Sequence, residues 1–127
     1  MLFALAFDLV HAATITNFAG TGTKGFSGDG GPAIQAQLNN VYAIARGPDG
    51  MLYLCDVDNA RIRRIGSDGK IETYAGGSTR GYQGDGGPAT QAALDMPYEM
   101  AWDKAGNLYT GDTSVARVTA WSPPKDR

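Results

Sequence analysis

The sequence predicts an all-β fold built of propeller blades: four-stranded antiparallel meanders joined by loops that carry short helical turns. Three observations carry the prediction. Residues 25–38, GFSGDGGPAIQAQL, return as residues 81–94, GYQGDGGPATQAAL, so Gly25 and Gly81, Asp29 and Asp85, and Pro32 and Pro88 each lie 56 positions apart. Similarity repeated at a fixed spacing marks a repeat architecture. Between the two copies lie four short β-prone runs divided by Gly, Pro, Asp and Asn turns, the pattern of a meander. Glycine supplies 18 of the 127 residues, about twice its usual share, as a chain of tight turns requires.

Taken in order, residues 1–13, MLFALAFDLVHAA, are an apolar run ending in small residues. They read in two ways. One is a degenerate export leader, without a basic start and interrupted by Asp8, which places the protein outside the cell or in the periplasm. The other is a strand. The repeat segment is expected over 14–127, with repeat 1 at about 15–70 and repeat 2 at about 71–127.

Residues 15–19 are β-prone and end at Gly20. The Gly-rich block follows, and Pro32 opens one or two helical turns that run to about Asn39 and Asn40, since proline is tolerated at a first helical position. Strands are expected at 42–46, 52–56, 61–65 and 71–75, with turns at 47–50, 57–60 and 66–69. Repeat 2 gives strands at 98–102, 108–112 and 117–121. The two prolines at 123 and 124 argue against another strand, because proline donates no ladder hydrogen bond.

The count is two blades, one of them split between the ends, with 15–19 expected to pair beside the last three strands. Radial repetition of four-stranded sheets makes a propeller. Two blades close no ring, so either several copies assemble or the chain is a fragment. Exposed strand edges favour association.

Composition excludes some classes. A net charge of −2 gives no footprint for nucleic acid. No stretch approaches the length of a membrane span. Cys55 is the sole cysteine and His11 the sole histidine, so there is no disulfide within the chain and no Cys-based zinc site.

Residues 48–65, PDGMLYLCDVDNARIRRI, resemble the NHL repeat: a D-G turn, an apolar strand ending in Asp, an Asn turn and an Arg-Ile strand. The GFSGDGGPA block is similar to the linkers of bacterial NHL-repeat proteins. The resemblance covers about residues 15–121. Repeat 2 departs from it, with Ser114 and Val115 where repeat 1 has Asp58 and Asn59, although Asp112 and Arg117 stay in place. The resemblance implies a six-bladed propeller, hence three chains of two blades each.

Strand parity puts both Gly blocks on one face with the 56–59 and 112–116 turns. That face gathers Asp29, Asp56, Asp58, Asn59, Asp85 and Asp112, the candidate ligand residues, since loops on one face are the usual place for binding. A structural role is favoured for them. A strand-end Asp can bond turn N–H groups, and Asp56 with Arg61 and Asp112 with Arg117 are expected ion pairs. Gly28, Asp29, Gly30, Gly31 and Pro32, with Gly84, Asp85, Gly86, Gly87 and Pro88, are read as turn-shaping, and Arg61 and Arg117 as repeat signature.

No catalytic residues, metal ligands or cofactor are assigned. A metal here would be mostly oxygen-liganded, calcium being the one considered; nothing specific supports it, and the spacing of an EF-hand is absent. Phosphate cradling lacks its lysine. The aromatics at 42, 53, 74, 98, 102, 109 and 121 are expected to pack between blades. Cys55 is expected to be buried and inert, and Arg63 and Arg64 to lie on a solvated edge.

The function expected is a non-catalytic binding or scaffold module with a protein or carbohydrate ligand. The alternatives are part of a propeller lyase or hydrolase whose catalytic residues lie in blades outside this chain, or a truncated propeller fragment. Mass in solution separates an assembled ring from a fragment, and calcium titration followed by thermal melting tests the acid-lined face.

Overall fold

A computed structural model describes residues 12–77, 79–112 and 117–122. The fold is all-β, with two antiparallel sheets of the kind that form propeller blades. The first runs in the order β1 (Val41–Arg46), β2 (Leu52–Asp56), β3 (Arg61–Ile65) and β4 (Ile71–Ala75). The second runs β5 (Pro97–Trp102), β6 (Leu108–Asp112) and β7 (Arg117–Trp121).

The turns explain the meanders. At the β1–β2 hairpin the Asp49 carboxylate accepts the Met51 N–H, and Gly50 takes a φ of 81°. At the β3–β4 hairpin Asp68 accepts the Lys70 N–H, and Gly69 takes a φ of 80°. Such positive angles suit glycine because it has no Cβ. The β2–β3 connection is a 3-10 turn, Val57–Asn59, closed by Ala60 in the left-handed region.

Two expectations need correction. Residues 15–19 form no strand: no partner edge lies beside them among the described residues, and Ile15 and Phe18 are exposed. The sheet expected from 15–19 and the last three strands is therefore not formed. The helical turns are also shorter than expected, single 3-10 turns at Ala33–Gln35 and Ala89–Gln91. Each ends because the chain turns back on its own loop. Ser27 bridges Gln37 and the Gly25 N–H donates to Leu38 O, while in repeat 2 Gln83 bridges Ala93 and the Gly81 N–H donates to Leu94 O. The leader at 1–11, the turn at 113–116 and the tail at 123–127 lie outside the described residues.

Parity divides each sheet into two faces. On the first sheet Leu54, Ile65 and Ile71 pack with Ala33 and Ala36 of the first Gly block. The opposite face carries Tyr53, Cys55 and Ile62, which pack against Leu94 of the second block and Leu108 and Trp121 of the second sheet. Tyr53 meets Trp102 edge-on across that interface, with centroids 5.0 Å apart. Leu108 and Trp121 stand 56 positions after Leu52 and Ile65. The sheets therefore stack in one sense: the face that the first sheet buries under its own block is the face the second sheet lays on the first. Each large apolar side chain buried there stabilises by about 1.5–3 kcal/mol.

Candidate functional site

The first Gly block is held by one arginine. The Arg63 side chain is fully buried, and its guanidinium donates to Asp29 Oδ1 at 2.8 Å, Ser27 O at 2.9 Å, Gln37 O at 2.9 Å and Asp56 Oδ2 at 3.3 Å. The block is thereby tied to the sheet through both its carbonyls and its central carboxylate. Charge-assisted hydrogen bonds of this kind are about twice as strong as neutral ones.

This overturns two expectations. Arg63 is not on a solvated edge, because it shares the strand face of Ile65, which the Gly block covers. Asp56 is held by Arg63 and not by Arg61. Arg61 donates to Thr73 Oγ1 at 3.3 Å and lies 3.7 Å above the Phe26 ring centroid. Arg64, the other arginine expected at the edge, is part-exposed and pairs with Glu72.

Asp56 is a junction. Its carboxylate accepts the Asn39 N–H at 2.7 Å and Asn59 Nδ2 at 2.8 Å, and Asn59 Nδ2 also donates to Gly25 O at 2.9 Å. Burial pushes the Asp56 carboxyl up, against the pull of Asn59, Asn39 and Arg63. Thr73 Oγ1 adds a bond to Asp29 Oδ2 at 2.6 Å. Asp29, Asp56 and Asn59 thus converge on one network.

Repeat 2 is built differently. Thr119 stands where repeat 1 has Arg63. Asp85 instead takes both its hydrogen bonds from Arg117, at 2.9 and 3.0 Å. The buried Asp112 accepts the Asp95 N–H at 2.6 Å and the Met96 N–H at 2.9 Å, so its expected pair with Arg117 is not made. The missing guanidinium leaves a cavity of ≈ 320 Å³ between the block and β7, lined by Gly84, Asp85, Leu94, Arg117, Thr119 and Trp121.

Asp58 differs from the other acids, since its carboxylate makes no hydrogen bond among the described residues. It lines an open pocket of ≈ 220 Å³ with Phe26, Asn59, Ala60, Arg61 and Arg80. Arg80 reaches across to Asp58 O at 2.7 Å and to Asp95 Oδ1 at 2.7 Å. No group of three His, Cys, Asp or Glu side chains converges among the described residues as a metal ion requires. Cys55 is buried, and burial pushes its thiol up to about 12.

The sequence reading missed Arg63, Phe26, Tyr82 and Arg80. A signal existed for all four. Arg63 shares strand parity with Ile65, and Phe26 and Tyr82 are aromatic at the same place in both blocks. Arg117 lies 5.1 Å from the Tyr82 centroid, as Arg61 lies over Phe26. Arg80 stands 56 positions after Lys24, so a basic residue precedes the block in both repeats.

Comparison places the chain beside known proteins. No family model matches it. It is 32% identical over 106 residues to Teneurin-3 of Mus musculus, and 32% identical over 116 residues to Teneurin-1 of Gallus gallus. Those matches take in 73% and 82% of this chain but 4% of each teneurin, so the chain spans a small part of the relatives it matches.

Two bacterial structures are similar in fold. An auxiliary nutrient binding protein from Bacteroides ovatus gives a TM-score of 0.63 at 25% identity, covering 81% of this chain and 27% of that one. A Bacteroides thetaiotaomicron protein described as a candidate phosphatase gives 0.65 at 20% identity, over 86% of this chain and 26% of the other, a likeness of fold alone.

Proposed function

We propose that the chain is a non-catalytic binding module made of NHL-like blades, which takes a protein or carbohydrate ligand on the face that carries the Gly blocks. One observation carries this reading. An aromatic ring paired with an arginine recurs at the same place in both repeats, Phe26 with Arg61 and Tyr82 with Arg117. Both rings are exposed, and exposed aromatics beside guanidinium groups offer stacking and hydrogen bonding together. Asp58 and Arg80 add a carboxylate and a second cation at the first pair. Asp29 and Asp56, held by Arg63, and Asp85, held by Arg117, shape the face on which these rings stand. The likeness to an auxiliary nutrient binding protein, at 25% identity, supports a binding role.

The test is to present immobilised protein to a panel of soluble oligosaccharides and extended peptides, with Phe26→Ala and Tyr82→Ala alongside. The expected result is a ligand whose affinity falls at least about tenfold in either variant, with the unfolding midpoint little changed. A panel with no binder at millimolar concentration, or a panel member chemically converted, contradicts the proposal.

A further inference from the structure

We propose that copies of this chain associate head to tail, with residues 15–19 of one copy adding to β7 of the next as a fourth strand. This goes beyond the ligand reading and does not depend on it.

The interface between the two sheets within the chain supplies the template. Shifted by 56 positions, β4 corresponds to residues 15–19: Ile71 to Ile15, Thr73 to Asn17, and Ala75 to Ala19. β4 completes the first sheet by pairing with β3, in the register Ile65↔Ile71, Arg63↔Thr73 and Ile62↔Ala75. In the second sheet no described strand pairs with the outer edge of β7. The same register there reads Trp121↔Ile15, Thr119↔Asn17 and Val118↔Ala19.

Burial marks the two halves of this contact. Ile71 is 0% exposed and its counterpart Ile15 is 97% exposed. Ile62 is 0% exposed and its counterpart Val118 is 75% exposed. Tyr53 is 3% exposed and its counterpart Tyr109 is 37% exposed. Thus one end of the molecule presents a β4-like segment with no edge to join. The other presents a β3-like edge and a sheet face bearing Tyr109, Val118 and Glu99, neither covered by any described residue.

The second Gly block shows how the ends meet. After β4 the chain crosses through Gly76, whose N–H donates to Ala89 O, and places Leu94 in the core between the sheets. After residue 19 the chain crosses in the same way through Gly20, whose N–H donates to Ala33 O, and places Leu38 against the first sheet. A neighbouring copy with its 15–19 segment on β7 would therefore set its own first sheet on the exposed face of Tyr109 and Val118. One rigid-body placement satisfies both the strand edge and the face.

The contact is heterologous, so copies add in one direction until a ring closes. Propeller rings hold about four to eight blades, so two sheets per chain give closed assemblies of about two to four chains.

Solution mass and register are tested together. Light scattering of the 127-residue chain should give one discrete species within that range. Ile15 is exposed in the single chain, so Ile15→Asp leaves the single chain folded and raises the dissociation concentration at least about tenfold, because it puts a charge where Ile71 is buried. With Asn17→Cys and Thr119→Cys together, oxidation should link chains to one another. The off-register pair Asn17→Cys and Ala120→Cys should not. A single-chain mass at about 100 μM, open-ended growth, or equal cross-linking by both cysteine pairs overturns the proposal.

Discussion

Arg63 and Asp29 lie 34 residues apart in the chain, and the guanidinium of one donates to the carboxylate of the other at 2.8 Å. That contact joins the Gly block to the sheet it crosses, and Asp56 closes the same network from the β2 end. Replacing Arg63 with Met keeps the apolar stem and removes the charge, which strands the buried Asp56. Breaking a buried pair from one side costs about 3–5 kcal/mol. Urea unfolding of Arg63→Met should show a loss of that order, and a loss under about 1 kcal/mol would deny the arginine its role.

Repeat 2 offers the converse experiment. Thr119 faces a cavity of ≈ 320 Å³ where repeat 1 holds its guanidinium. Thr119→Arg can place a guanidinium toward the carbonyls of Gln83 and Ala93, the counterparts of Ser27 and Gln37. Hydrogen bonds from a charged donor contribute about 1.5–3 kcal/mol, less the ordering of the side chain. The variant should gain about 1 kcal/mol in thermal or urea unfolding. A loss of stability would show that the two blocks are not equivalent in backbone.

Glycines within one block should differ sharply. Gly28 has a φ of 94°, and a Cβ there would come within 2.8 Å of Ala36 Cα. Gly84 repeats this, with Ala92 Cα at 2.8 Å. Gly30 and Gly86 also have positive φ, with nothing within 4 Å. Alanine at Gly30 or Gly86 costs only the backbone strain, about 1–3 kcal/mol. Alanine at Gly28 or Gly84 adds a collision with backbone and should cost at least about 1 kcal/mol more. Equal losses in paired denaturation curves would remove close approach as the reason for those glycines.

Alkali should weaken the fold through Cys55. Its thiol is pushed from an ordinary 9.0 up to about 12 by burial, so between those values the unfolded chain releases a proton that the folded chain keeps. The unfolded state then binds fewer protons, and stability falls as pH rises from about 9 to 12. Tyr53, pushed up to about 12 mainly by burial, acts in the same direction from about 10 upward. Melting points measured from pH 8 to 11 should fall less steeply in Cys55→Ala than in the parent. Identical slopes would mean the thiol already ionises in the folded protein.

The strands were legible because each is a short run bounded by turn residues: β2, β3, β4, β6 and β7 fall on the expected residues. Turns such as Asp49-Gly50 fix their hairpins locally, so sequence suffices there. The segment 15–19 carries the same strand pattern and forms none, because a strand needs an edge, and the edge that suits it lies on β7. The acids on the Gly-block face were legible as a group, but their partners were not. Asp56 is opposite Arg61 in the ladder, yet the guanidinium that reaches it comes from Arg63. A buried arginine resembles a surface one in sequence until the loop that covers it is placed.

A double-mutant cycle on Asp29 and Arg63 tests most directly whether the Gly block is a clamped joint. Asp29→Ala, Arg63→Met and the double variant are compared by urea unfolding with the parent. A clamp predicts a coupling of about 1.5–3 kcal/mol, the range for hydrogen bonds to charged groups. Additive losses, with coupling under about 0.5 kcal/mol, would show that the Asp29 carboxylate is not held by Arg63 and would free it for a ligand.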